Sequence, residues 1–177
     1  PHADKAEHEI DLLTIHDSLT GIYHMWGKHP WDKSGVEDEL EGLNNGNGRS
    51  GNLQMIPKDK IQYYEIFDEV KRLDHMLQFW EKNVPDIYTG YNIDDFDTQY
   101  LVNRIKLKLD GKHYTRLSPY GVVTSRDTHD KFGNPKVEYK IQGVSVMDYM
   151  SVYKIFTFNA ERPSWKLDDL ASDVLGC

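Results

Sequence analysis

The chain has 177 residues, a formal net charge of −8, 38% hydrophobic residues with four Trp, and a single Cys. That length suits one domain with a real core, and a mean hydropathy of −0.68 leaves generous polar surface. The acidic balance argues against a general nucleic-acid coat, the lone Cys177 excludes an internal disulfide framework, and no run approaches the roughly 18 apolar residues of a membrane helix.

Residues 8–17, HEIDLLTIHD, read as a strand with an apolar centre, and residues 22–27, IYHMWG, as its antiparallel partner. The turn between them is supplied by Asp17 to Gly21. Residues 28–58 lose periodicity. The stretch NNGNGRSGN has much backbone entropy to lose and little apolar surface to bury, so residues 30–57 read as a mobile surface insertion. Residues 65–83 predict a helix with Val70, Leu73, Leu77 and Trp80 on one apolar face, stopped by Pro85.

Residues 86–91 read as a buried strand and residues 95–109 as a second helix, with Leu101, Ile105 and Leu109 stacked at spacings of four. Val122–Thr124 and Val137–Ile141 flank DKFGNP, a strong turn signal, which predicts a long hairpin over about 120–141. Residues 144–147 form another expected strand. Asp148 stands where a helix N-cap belongs, before a helix carrying Tyr149, Val152, Tyr153 and Phe156, with Tyr153 and Phe156 assigned to the core. A last helix starts near Trp165, with Leu167, Leu170 and Val174 inward. There is no internal repeat and no clear linker, so the pattern is an α/β domain with a mixed sheet.

The chemistry concentrates between β-like and helical segments, where Asn92, Asp94, Asp95 and Asp97 crowd into six positions. Carboxylates there serve either as helix-end charges or as hard oxygen ligands for a divalent ion. The eight His residues offer no ligand pair: there is no His-Glu-x-x-His, and His8 and His16 lie too far apart along a strand to share an ion.

The segment TGYNIDDFD, with the form Asn, three residues, Phe, Asp, resembles the second exonuclease motif of family B DNA polymerases. Its surroundings extend the resemblance. QFWEKNVPDIYTGYNIDDFDTQYLVNRIKLKL, HEIDLLTIHDS, GVSVMDYMSVYKIFTF and SWKLDDLASDVLG are similar, in the same order, to segments of the replicative polymerases of T-even-type bacteriophages. The resemblance implies a ribonuclease-H-like fold and 3′–5′ proofreading exonuclease activity with Mg2+ or Mn2+. It implies that Asp97 is a catalytic, metal-binding carboxylate, that Asn92 contacts DNA near the scissile end and that Phe96 packs beneath. Asp94 and Asp95 then remain as helix-end charges.

Arg104, Lys112 and Arg116 belong to a local basic stretch, which reads either as phosphate contact or as a solvated face. The hairpin resembles the one these polymerases use in moving the primer end, so its tip, with Lys131, Phe132, Gly133 and Asn134, is expected to reach DNA. The implied partners are a single-stranded DNA 3′ end, primer-template DNA, the remaining polymerase domains and a sliding clamp. The implied place is the cytoplasm of an infected bacterium.

The family's first motif, Asp-x-Glu, and its third, Tyr-x-x-x-Asp beyond the second, do not occur. Residues 1–177 therefore read as a partial exonuclease domain cut from a longer protein. The central first strand of the sheet is expected to be missing, and the chain alone is expected to be inactive. The alternative is a non-catalytic ribonuclease-H-like module that binds DNA or protein.

Overall fold

The computed structural model describes residues 3–31, 56–129, 133, 135–157 and 164–175. Its strands are β1 (Leu12–Asp17), β2 (Ile22–Gly27), β3 (Ile61–Glu65), β4 (Ile87–Gly90), β5 (Val123–His129), β6 (Pro135–Ile141) and β7 (Ser145–Asp148). Its helices are α1 (Glu69–Lys82), α2 (Asp97–Lys108), α3 (Tyr149–Phe156) and α4 (Leu167–Leu175), with 3-10 turns at Lys58–Lys60 and His113–Leu117. Residues 32–55 of the expected insertion lie outside the described residues, as do Lys131, Phe132 and Asn134 of the expected hairpin tip. Two compact units divide the chain: Pro1–Ile10 with Glu69–Glu161, and Asp11–Asp68 with Arg162–Cys177. Among the described residues no helix is long and apolar enough to cross a membrane.

The second unit is built on a three-stranded sheet in the order β1-β2-β3. β1 and β2 pair antiparallel from Leu12↔Gly27 to Asp17↔Ile22. Their turn is closed by Gly21 in the left-handed region (φ 70) and by the Asp17 side chain, which accepts from the Leu19 N–H (2.9 Å) and the Thr20 hydroxyl (2.6 Å). β3 runs parallel to β2 and has no counterpart in the sequence reading. Trp26 is fully buried and stacks on Tyr64 at 5.3 Å. In α4, Leu170 is buried but Leu167 is exposed, against the expectation that both face inward.

In the first unit, Leu73, Met76, Leu77 and Trp80 of α1 meet Val102 and Ile105 of α2 in a core that also holds Leu117. The Trp80 indole N–H donates to the Leu117 carbonyl at 2.8 Å, which satisfies the one polar atom of a buried ring. Val70 is exposed: the buried stripe runs through Met76 instead. β4 pairs parallel with β7 alone among the described strands, from Ile87↔Ser145 to Gly90↔Asp148. Ile87 is exposed, so β4 is not the buried strand expected. β5 and β6 pair antiparallel from Val123↔Ile141 to His129↔Pro135. Side chains of α2 hold β6: Lys106 Nζ donates to the Tyr139 hydroxyl (3.0 Å), which donates to Asn103 Oδ1 (2.6 Å). α3 has no fully buried residue, and Phe156 is 76% exposed, which removes it from the expected core.

The N-terminal segment lies along α1 and α2 through hydrogen bonds to its main chain. Asn103 Nδ2 donates to the carbonyls of Ala3 (3.0 Å) and Asp4 (3.3 Å), and Arg104 Nη1 donates to those of Ala6 and Glu7 (2.9 Å each). The Tyr100 hydroxyl donates to the His8 carbonyl at 2.7 Å and accepts from its N–H. Arg72 donates to the Ile10 carbonyl from Nε (3.2 Å) and Nη2 (2.8 Å). Glu69 completes the arrangement: its Oε1 accepts from the Ile10 N–H (3.0 Å) and Arg104 Nε (2.7 Å), and its Oε2 from Arg104 Nη2 (2.6 Å).

Candidate functional site

The acidic loop follows directly from the end of β4. A Cβ on Gly90 would lie 2.3 Å from Ile93 Cγ2, so only glycine lets the chain fold Ile93 back into the interior. Asn92 then takes the left-handed conformation (φ 59), which Asn tolerates better than most side chains. The loop is wound by main-chain bonds: Phe96 N–H to the Asn92 carbonyl (3.2 Å) and Thr98 N–H to the Ile93 carbonyl (2.9 Å). α2 starts at Asp97, which puts that carboxylate in the first helical turn, where the helix dipole favours negative charge.

Asp148 approaches from the end of β7, where it is the register partner of Gly90. It is only 6% exposed. Its Oδ1 accepts from Met150 N–H at 2.8 Å, the expected cap of α3, and also from Asn92 N–H at 2.9 Å. The second bond closes the acidic loop and has no sign in the local sequence, because its partners lie 56 positions apart.

Burial first, and like charges second, set the electrostatics of this corner. Burial lifts the Asp97 carboxyl above its ordinary value; a bond from its own backbone N–H opposes the rise and the Asp148 charge adds to it. The carboxylate is open to solvent at its surface, but neighbouring protein strips part of its hydration. Asp94 also rises, through burial first and then through Asp148 and Asp95, with Lys136 pulling the other way. Burial pushes the Tyr88 hydroxyl up to about 12, and the Asp97 charge contributes. Asp95 has a different neighbour: its carboxylate accepts from Lys136 Nζ. Neither Asp94 nor Asp95 caps α2, whose N-cap is Phe96 with no side-chain bond.

These donors are hard oxygens in a site short of cations, the kind that Mg2+ or Mn2+ takes. The described residues nevertheless contain no group of three or more His, Cys, Asp or Glu side chains that could enclose a metal ion. Among the described residues, the acidic side chains around Asp97 therefore form no cage for two ions.

The other expected contacts separate sharply. Phe96 is on the surface rather than beneath it, stacked on Tyr100 at 5.6 Å. Arg104 is 3% exposed, and Glu69 with two main-chain carbonyls takes four of its N–H donors, so it is neither a phosphate contact nor a solvated face. Arg116 is held by Glu81 (2.8 and 2.7 Å) and Asp74 (2.6 Å). Those bonds raise its already high pKa. Lys112 is exposed ahead of the His113–Leu117 turn, and Gly133 has φ 84.

Comparison with known proteins bears on this geometry. The family described as DNA polymerase family B, exonuclease domain, matches residues 45–170. The DNA-directed DNA polymerase of Enterobacteria phage T4 is 33% identical over 180 residues, covering 97% of this chain and 19% of that protein. The corresponding polymerase of Escherichia phage RB69 is 31% identical over 172 residues, 95% of this chain and 19% of that protein. The DNA polymerase catalytic subunit of Equine herpesvirus 1 (strain Ab4p) is 34% identical over 116 residues, 63% of this chain and 9% of that protein. The chain thus spans about a fifth of the length of its phage relatives.

Proposed function

The chain belongs to the exonuclease-domain family of family B DNA polymerases, and on that premise we propose that it is part of the 3′–5′ proofreading domain of a phage replicative polymerase. The observation that carries the reading is Asp97 in the first turn of α2, its carboxyl raised by burial and by the charge of Asp148. Crowded carboxylates of this kind suit a divalent ion, Mg2+ or Mn2+. In a two-ion site such ions supply a nucleophilic water and stabilise the leaving oxygen of a phosphodiester.

Asp97 is the metal-binding residue this chain contributes. Asn92 contacts the DNA 3′ end, and the exposed ring of Phe96 offers a surface for a base. Lys112 is the remaining basic contact, and Lys131, Phe132, Gly133 and Asn134 meet primer-template DNA. Among the described strands β4 pairs with β7 alone, which supports a ribonuclease-H-like sheet completed by a further strand. The partners are the other polymerase domains and a sliding clamp, in the cytoplasm of an infected bacterium. On this reading two-ion hydrolysis needs more carboxylates than Asp97, and the chain alone is expected not to cleave DNA.

The test combines two measurements on the chain. A 3′-end single strand incubated with it and Mn2+ is expected to stay full length, while paramagnetic Mn2+ broadens the backbone resonances of residues 94–97 and Asp97→Ala abolishes that broadening. Broadening that ignores Asp97, or strand shortening that disappears with Asp97→Ala, overturns the corresponding half of the reading.

A further inference from the structure

We propose that Asp148 is a positioning residue for the acidic loop: one buried carboxylate oxygen fixes the main chain of Asn92 and, through it, the presentation of Asn92 and Asp97. The inference rests on the reading of Asp97 and Asn92 given above. β4 and β7 pair in parallel as far as Gly90↔Asp148. One step later the β4 strand ends and the chain turns, so the Asn92 N–H has no ladder partner to meet. The Asp148 side chain takes over as acceptor at 2.9 Å. From Asn92 the constraint passes to Phe96 through the Asn92 carbonyl and to Thr98 through that of Ile93, the bonds that bracket Asp97. A second tie lies one residue before Gly90, where the Thr89 hydroxyl donates to the Met147 carbonyl at 2.7 Å.

A plain helix cap does not account for this arrangement. Capping α3 needs one acceptor for Met150 N–H, which Ser supplies about as well as Asp. A carboxylate kept 6% exposed beside two further carboxylates is an expensive way to do that alone. The same oxygen accepting from two separate elements explains the residue: it makes charge-assisted bonds to both, and its reach spans from α3 to the loop.

Three variants of the chain separate the roles, read by amide hydrogen exchange at Asn92 and Met150 and by Mn2+ broadening at Asp97. Asp148→Asn retains Oδ1, and both amides are expected to stay protected. Asp148→Ala is expected to speed exchange at both by about tenfold or more. Asp148→Ser is expected to restore Met150 but not Asn92, because the shorter side chain caps α3 without reaching the loop, and Mn2+ broadening at Asp97 weakens with it. Protection of Asn92 in the Ser variant equal to that of the parent overturns the proposal, as does Asp148→Asn behaving like Asp148→Ala. Asn92 responding as described while the parent shows no broadening at Asp97 leaves the positioning role standing and overturns the metal reading.

Discussion

Two charged regions of the same unit obey opposite rules. Around Glu69, every buried charge has a counter-charge and a set of directed bonds: Arg104 at 2.6 and 2.7 Å, the Ile10 N–H at 3.0 Å, and Arg72 joined in turn to Glu9 at 2.7 Å. Around Asp97, burial first and then the Asp148 charge lift the carboxyls of Asp94 and Asp97, and the nearby lysine is engaged by Asp95. The first region is an interior solution to folding. The second carries an electrostatic cost that folding does not require, which is what motivates the proposal of a binding site there.

The sharpest test removes Glu69. Glu69→Ala leaves Arg104 buried without its partner and is expected to cost about 3–5 kcal/mol, measured as a shift of the urea midpoint. A loss below about 1 kcal/mol breaks the comparison at its stable end. The carboxylates around Arg116 come next. Asp74 and Glu81 are both lowered by hydrogen bonds from Arg116. A lowered carboxylate contributes stability above its ordinary value and loses it as pH falls through the folded value. Stability is therefore expected to fall below about pH 4, and Arg116→Gln to flatten that acid limb, in urea titrations between pH 6 and pH 2.

The acidic loop has the reverse sign. Asp94 and Asp97 are raised, so their contribution is fully present below the ordinary carboxylate value and is lost as pH rises through the folded value. Asp94→Asn is accordingly expected to stabilise the chain at pH 7 by a few tenths of a kcal/mol. Destabilisation on the scale of the Glu69 variant would erase the contrast. The smallest effect belongs to Arg126, whose side chain is 77% exposed and pairs with Glu138 at 2.8 Å. Arg126→Ala is expected to change the urea midpoint by less than about 0.5 kcal/mol.

What could be read from the sequence divides along the same physical line. β2 was expected at Ile22–Gly27 and found there, and α1 and α2 fall within their expected spans, because periodicity and turn residues are local signals. The cap role of Asp148 was legible for the same reason. β3 was not, since a five-residue strand beyond a Gly/Asn-rich stretch carries little pattern of its own. Periodicity put Val70 on the apolar face of α1, and packing put Met76 inside instead. Arg104 looked like part of a basic stretch with Lys106 and Lys108; its partner Glu69 lies 35 positions earlier, out of reach of any local reading. The Asp148–Asn92 bond was hidden in the same way. At the site, residue types were visible in advance and pairings were not.

The segment before β1 is held in an unusual currency. Ala3, Asp4, Ala6, Glu7, His8 and Ile10 are each gripped through a carbonyl oxygen, and of these six only Ala6 has its side chain sealed in the interior. The helices therefore read the path of this strip and are almost blind to its spelling. Most of its positions are free to drift while the docking persists. Glu9, whose carboxylate accepts from Arg72 at 2.7 Å, and Ala6 are the exceptions: Ala6 sits at φ 43 with no room around it, so glycine is its one easy replacement and any larger side chain lifts the strip away.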